Sequence, residues 1–374
     1  MNEQQLYELR KVASEYVNVD KIVEIKEIKS GHINSTFLLV MPEAKYILQK
    51  INTHVFNSPF GIMHNIKEIT EHIRKKVIYE GKDPNRCVLN IVKTKFDQVL
   101  AIRGDNYWRC MQYISGGTTY ELVEDEAMFY EVGRAVGEFQ NLLDGFHTRI
   151  LDETIRHFHD TPYRYDHFKD IVKIDRVDRC KECVDDIAFV TSREKYMDRI
   201  TAKIKLKAIP KRVTHNDTKL SNVMIDDQSK KALCLIDLDT VMVGSLLYDY
   251  GDALRLGAST ALEDEADLSK VSISLSLFES FTEGFLYETK NIITPEEVRS
   301  LYDGYLLMTF EVGMRFLDDY LDGDRYFRVD YPQHNLIRSR NQFKLVEEIE
   351  RNEENIKMII NKLLKKLEFD EIYF

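Results

Sequence analysis

No stretch of the chain is apolar for long enough to cross a bilayer. The opening residues, MNEQQLYELRKVASEY, are charged and contain no apolar core of a secretion signal. Membrane insertion and export are therefore not expected, and a cytoplasmic location is. Cysteine is scarce, odd in number and scattered: Cys87, Cys110, Cys180, Cys183 and Cys234. Reduced thiols are expected rather than a disulfide framework. The pair Cys180-x-x-Cys183 has no second pair to complete a zinc site, and the helical pattern around it points to packing on one face. Excess positive charge is also missing. Lys and Arg number 52 against 63 Asp and Glu, a net charge of -11, which repels a phosphate backbone and argues against a nucleic-acid partner. There are no internal repeats, no low-complexity tracts and no G-x-x-x-x-G-K-S/T phosphate loop. Asn34-Ser35-Thr36 matches a glycosylation acceptor, which carries no meaning without secretion.

What is present is a well-mixed chain of 374 residues with 44% hydrophobic content. That is too long for one compact core, and two lobes are expected. Residues 21–29 alternate apolar and charged side chains, as a half-buried strand does. Further strands are expected at 36–40, 46–51, 87–93 and 107–113, with one helix at 62–79. After Ser115-Gly116-Gly117 the pattern changes to long helices, at 124–143, 165–189, 192–206, 268–287, 295–321 and 341–367. One β-rich island, 212–239, interrupts them. The boundaries drawn are 1–113 for a strand-rich lobe and 114–374 for a helical lobe. The last helix carries Val346, Ile349, Ile356, Ile360, Leu363 and Leu367, a stripe read as packing within the chain; oligomeric state is left open. His157, His159 and His167 lie near Asp160 and Asp166 at no metal-binding spacing, and are read as loop polarity. Trp108 is read as core.

The island holds the chemistry. It reads Thr214-His215-Asn216-Asp217-Thr218-Lys219-Leu220-Ser221-Asn222, and a later strand runs into Ile236-Asp237-Leu238-Asp239. Phosphoryl transfer needs a carboxylate to orient a hydroxyl and take its proton, hard oxygen ligands for Mg²⁺, and positive charge on the transferring group. Asp217 fits the first role, Asn222 and Asp237 the second, and Lys219 the third. Asp239 is expected to bind metal or support it. Two acids at the end of an apolar strand are costly unless paired or metal-bound. His215 is expected to orient the loop rather than move protons. Asp249 and Asp252, in Tyr248-Asp249-Tyr250-Gly251-Asp252, read equally well as supports of the site or as helix caps.

The pattern His-x-Asp-x-x-x-x-Asn followed by Ile-Asp-x-Asp resembles the aminoglycoside phosphotransferase and choline kinase superfamily. Within it, the chain is most similar to the N-acetylhexosamine 1-kinases. The resemblance rests on Ser30-Gly31-His32-Ile33-Asn34, Tyr46-Ile47-Leu48-Gln49-Lys50-Ile51-Asn52, HNDTKLSN from His215, IDLDTVM from Ile236, YDYGD from Tyr248, Gly313-Met314-Arg315-Phe316-Leu317 and His334-Asn335-Leu336. It spans residues from about 23 to about 350. It implies an α+β, two-lobe protein-kinase-like fold with a small strand-rich N-lobe and a larger helical C-lobe. It implies ATP and Mg²⁺, with a small-molecule sugar as acceptor, phosphorylated on the anomeric hydroxyl of N-acetylglucosamine or N-acetylgalactosamine. Asp217 matches the base, and Asn222 and Asp237 the metal positions. Arg315 and Tyr326 look like sugar-pocket residues, and Arg315 is a charge within the otherwise apolar run 310–317. On the nucleotide side the expectations are Gly31 and Asn34 in the loop, Gln112 and Tyr113 at the hinge, and Lys50 as the phosphate cation. The loop has one Gly rather than several, and Asp-Leu-Asp stands where protein kinases have Asp-Phe-Gly. Other acceptors (choline, homoserine, methylthioribose, an aminoglycoside) and a catalytically silent nucleotide-binding protein are the alternatives.

Overall fold

The computed structural model describes residues 2–28 and 33–370. Helix α1 (Glu3–Ala13) opens the chain, started by Asn2 and Gln5 in a reciprocal capping box. Strands β1 (Glu24–Ile28), β2 (Ser35–Val40) and β3 (Lys45–Lys50) then form a meander, and α2 (Pro59–Tyr79) follows. Strands β4 (Ile91–Val92), β5 (Ala101–Arg103) and β6 (Asn106–Gln112) complete an antiparallel sheet in the order β1-β2-β3-β6-β4, with β5 also paired to β6.

The two faces of this sheet do different things, because side chains alternate along a strand. Phe37, Leu48 and Cys110 point to one face and build a core with Leu9, Val12 and Tyr16 from the N-terminal segment. The Tyr16 hydroxyl ties this layer together, donating to the Trp108 carbonyl (2.6 Å) and accepting from the Ala101 amide (2.8 Å). Thr36, Gln49, Arg109 and Met111 stand on the other face, which looks into a cleft.

Beyond β7 (Gly117–Thr118) the chain is mostly helical: α3 (Glu126–Leu142), α4 (Thr161–Ile174), α5 (Val184–Thr191) and α6 (Thr201–Lys205). The β-rich island comprises β8 (Arg212–Thr214), β9 (Val223–Asp226), β10 (Ala232–Leu235) and β11 (Met242–Gly244). Helices α7 (Leu246–Gly257), α8 (Leu275–Thr289), α9 (Pro295–Arg299), α10 (Leu301–Leu321), α11 (His334–Arg351) and α12 (Glu353–Lys366) complete the fold. A strand-rich N-terminal sheet against a helical C-terminal part is the architecture expected. Helix α2 packs its Ile62, Ile66, Ile69 and Ile73 into the large core that runs through the C-terminal helices.

Helix α7 is the axis of the second half. Ten of its twelve residues are buried, from Leu246 to Arg255. It crosses α10 so closely that a Cβ on Gly251 would sit 2.2 Å from the Gly304 carbonyl oxygen.

Several boundaries differ from expectation. Helix α1, strand β5 and helix α7 were not anticipated. The helix expected at 165–189 breaks at Asp175, which takes a left-handed conformation (φ 42°) and caps α4. Cys180 therefore sits on a short 3₁₀ turn, with Cys183 just after it, rather than on one helix face; both thiols are free. The helix expected at 341–367 is two, meeting at Asn352, and 295–321 divides at Ser300. Within 87–93 only Ile91 and Val92 pair. The C-terminal stripe packs within the chain: Val346, Ile349, Ile356, Ile360 and Leu363 are buried and Leu367 is partly so. Among the described residues no helix is long and apolar enough to cross a membrane.

Candidate active site

Strand β8 delivers the chain into the loop 215–222, and a 3₁₀ turn, Leu220–Asn222, returns it to β9. The loop hangs from α7. The Asp249 carboxylate, fully buried, accepts the backbone amides of His215 (2.9 Å) and Asn216 (2.8 Å) and the Gln140 side chain from α3 (2.7 Å). The Asp252 carboxylate takes the Thr218 amide (2.8 Å), and Thr218 Oγ1 donates to the Asp249 carbonyl (2.6 Å). Ser245 caps α7, so Asp249 and Asp252 are not caps but anchors of the loop. Asn216 adopts a left-handed conformation (φ 67°), which Asn tolerates better than most residues. Its amide donates to the carbonyls of Thr214 and Thr240 (3.2 and 2.8 Å). His215 accepts the Asp217 amide at Nδ1 (3.3 Å), so Nε2 carries the proton it donates to the Ile236 carbonyl (2.9 Å). Both ring nitrogens are thereby used, and His215 positions the loop.

At the centre, Asp217 Oδ2 accepts Lys219 Nζ (3.0 Å) and Asn222 Nδ2 (2.9 Å). Burial raises the Asp217 carboxyl, but Lys219 and Asn222 outweigh it and hold the group below the usual carboxylate range. Burial works against the Lys219 charge; Asp217 and then Asp237 overcome it and push the ammonium up to about 12. Asp217 is thus an ionised carboxylate with a cation beside it.

Asp237 is of the opposite kind. It holds a left-handed backbone (φ 60°, ψ 58°) at the end of β10 and opens on the cleft. Its carboxylate makes no hydrogen bond or ion pair among the described residues. Depth in the cleft first, then Asp239 and Asp217, raise it to about 7. Asn222 spends its Nδ2 on Asp217, by the carbonyl (2.8 Å) and the carboxylate, leaving the amide oxygen. A carboxylate short of positive charge beside an amide oxygen is a hard-oxygen donor set that suits Mg²⁺. Among the described residues no group of three or more His, Cys, Asp or Glu could hold a metal alone, so further ligands must come from phosphates or water. Asp239 is already committed: Arg109 forms a buried ion pair with it, and Asn34 donates to it (2.7 Å).

The cleft between the sheet and this loop has a volume of about 370 Å³ and is lined by Ile47, Gln49, Arg109, Met111, Asn222 and Asp237, among others. Gln112 and Tyr113 also line it, with their amides bonded to the Asn90 and Lys45 carbonyls (2.9 and 3.0 Å). Asn34 does not face the cleft freely; its amide bridges Asp239 and the Asn52 amide (3.0 Å). Gly31 lies outside the described residues. Lys50 is corrected by the register. It pairs with Trp108 and Ser35, on the sheet face of Leu48 and Cys110, one position out of phase with the cleft. The cation that faces the cleft from the sheet is Arg109, whose Nε donates to Gln49 Oε1 (2.9 Å). The signal for Arg109 was in the sequence: a lone charge in the strand Asn106–Gln112 is costly to bury without a partner.

Residues 24–271 match the phosphotransferase enzyme family. The chain belongs to that family. Solved structures share its fold over nearly the whole length. A microcompartment-associated aminopropanol kinase is 14% identical, covering 94% of this chain and 98% of its own, with a TM-score of 0.58. A spectinomycin phosphotransferase, solved in complex with ADP and spectinomycin, is 11% identical over 95% and 99%, TM-score 0.56. An ethanolamine kinase from Plasmodium vivax is 15% identical over 91% and 90%, TM-score 0.55.

In this phosphotransferase a second group of residues gathers on α10. The Arg315 guanidinium is ringed by Phe158, Phe327 and Tyr326, at 5.0, 5.5 and 5.6 Å from their centroids. Arg315 and Tyr326 are therefore brought together, as expected. Asp319, which the sequence reading passed over, builds this cage: its carboxylate accepts the amides of Arg325, Tyr326 and Phe327 (2.8, 2.7 and 2.9 Å) and the Asn335 side chain (2.9 Å). Phe158 also lines a cavity of about 840 Å³ that reaches Asn216 of the loop 215–222. The three neighbouring histidines do not converge. His157 stacks on Tyr163, His159 pairs with buried Glu311 (2.7 Å), and His167 with Asp318 (3.1 Å).

Proposed function

We propose that the protein transfers the terminal phosphoryl group of ATP to the anomeric hydroxyl of an N-acetylhexosamine, giving the sugar 1-phosphate. The observation that carries the transfer step is the Asp217 carboxylate, ionised and held by Lys219 and Asn222. Asp217 orients the sugar hydroxyl and accepts its proton as the oxygen attacks. Asn222 and Asp237 would hold Mg²⁺, which when bound offsets charge on the phosphates. Lys219 is placed to meet charge on the transferred group, and Arg109 to meet the phosphates from the sheet. The Gln112 and Tyr113 amides are spent within the protein, so the amide of Ile114 is the hinge donor for adenine.

The acceptor reading is supported by the Arg315 cage. Aromatic faces with a guanidinium suit a neutral, polar ring with apolar C–H faces. They disfavour choline or ethanolamine, whose cation would meet Arg315 and nearby Arg164. The test is ADP release with ATP, Mg²⁺ and separate acceptors: N-acetylglucosamine, N-acetylgalactosamine, glucose, galactose, mannose and choline. Phosphorus NMR then locates the phosphate. Turnover on an N-acetylhexosamine, phosphorylated at the anomeric oxygen, is expected. ADP release only with choline would sink the acceptor reading and keep the transfer chemistry.

A further inference from the structure

Beyond Tyr326 lies a cavity of about 620 Å³, lined by His54, Asn57, Arg156, Arg164, Arg325 and Tyr326, among others. Three arginines face it with a single carboxylate, Glu153, in a chain whose net charge is -11. Arg164 is the informative one. Its Nε is fully buried and has no partner, and its guanidinium makes no ion pair or hydrogen bond among the described residues. Burial and the like charge of Arg315 depress its basicity.

The nearby acids are already engaged. Glu311 takes His159 (2.7 Å) and Thr161 (2.5 Å), Asp318 takes His167 (3.1 Å), and Arg325 reaches Asp322 only at 3.8 Å. A guanidinium whose Nε is removed from water and left unmet is costly to hold, and its remaining N–H groups are free to meet an acceptor in the cavity. Its planar fork matches the two oxygens of a carboxylate, sulfate or phosphate.

We propose that this cavity is an oxyanion site, binding a carboxylate, sulfate or phosphate group through Arg164, Arg156 and Arg325. Tyr326 belongs both to this cavity and to the Arg315 cage. A substituent of the acceptor, remote from the reacting hydroxyl, would therefore reach it; that source rests on the function proposed above. A free oxyanion would meet the same fork.

Sodium sulfate is titrated into the full chain at constant ionic strength, balanced with chloride, and the unfolding temperature is followed for wild type, R164M and R156Q. A saturable rise in wild type is expected, lost in R164M and weakened in R156Q. An equal response in all three overturns the site. Arg156 is exposed, so R156Q carries the comparison if R164M does not fold. The source is found by comparing kcat/KM for N-acetylglucosamine with that for its 6-sulfate. A preference of about tenfold or more for the sulfated sugar, collapsing in the variants, assigns the group to the acceptor. Equal kcat/KM with saturable sulfate binding assigns it to a free ion. Turnover of the neutral sugar with no sulfate response removes the oxyanion site and leaves the kinase reading intact. A sulfate response with no sugar turned over does the reverse.

Discussion

Replacing Arg109 with methionine tests how the sheet is joined to the β-rich island. The side chains of Arg109 and Asp239 are 2% and 3% exposed. Methionine keeps most of the volume and removes the charge, so among the described residues Asp239 is left buried with only Asn34 as a partner. Removing one member of a buried ion pair costs about 3–5 kcal/mol. Loss of the bond to Gln49 adds about 1 kcal/mol. Urea unfolding followed by circular dichroism should show R109M less stable by that sum at pH 8. The double variant R109M/D239N should fall short of the summed single effects by about 1–3 kcal/mol, because each single change strands the other partner. The deficit has a pH signature. In R109M the folded state loses the Arg109 charge that lowers Asp237, an acid already raised to about 7. An acid of that kind supports stability below its unfolded pKa and loses that support as pH rises through the folded value. The R109M deficit should therefore shrink between pH 8 and pH 5. A loss under about 1 kcal/mol, or strict additivity in the double variant, would refute the claim that this pair carries the contact.

Four further outcomes follow from the geometry. D217N should fold like wild type, by thermal unfolding, and lose about 10²–10⁴-fold in kcat, the usual weight of a general base; wild-type turnover would remove Asp217 from that role. Asp249 is raised to about 6 by burial, so its contribution is largest below about pH 4 and declines as pH rises to about 6. Unfolding scans of wild type and D249N should diverge in favour of wild type as pH falls from 7 to 4, by up to about 3 kcal/mol, and parallel curves would contradict this. D319A releases three backbone amides that set the Tyr326–Phe327 corner, so KM for the acceptor should rise about tenfold or more while KM for ATP holds; equal changes in both would deny Asp319 a role confined to the acceptor. G251A should lower the unfolding temperature markedly, because the added Cβ meets a backbone oxygen that cannot rotate away; an unchanged unfolding temperature would mean the crossing yields.

Legibility in the sequence followed locality. The loop 215–222 and the acids at 237 and 239 lie within one stretch of the chain, so spacing alone displayed them. Strands that alternate cleanly, such as Ser35–Val40 and Lys45–Lys50, and helices with a regular stripe, such as Glu126–Leu142, were readable to within one or two residues. What was hidden depended on partners far away in sequence. Arg109 and Asp239 are 130 residues apart, and nothing along either segment announces the other. Lys50 was misplaced because a one-residue change of phase moves a side chain to the opposite sheet face. The breaks at Asp175 and Asn352 escaped notice because the apolar period continues through each bend. Helix α7 was unread because Asp249, Asp252, Arg255 and two glycines interrupt its twelve residues, which along the chain look more like a polar turn than a buried helix.

The contact of Gly251 with Gly304 has a consequence for anyone mapping this protein by mutation. The same helix presents Asp249 and Asp252 to the loop 215–222 within two residues of that contact. A side chain wedged into the crossing would tilt the anchors together with the backbone that bears them. Screens that score only phosphorylation will therefore rank Gly251 beside Asp217, though it has no functional group. Screens that also count folded molecules will separate the two.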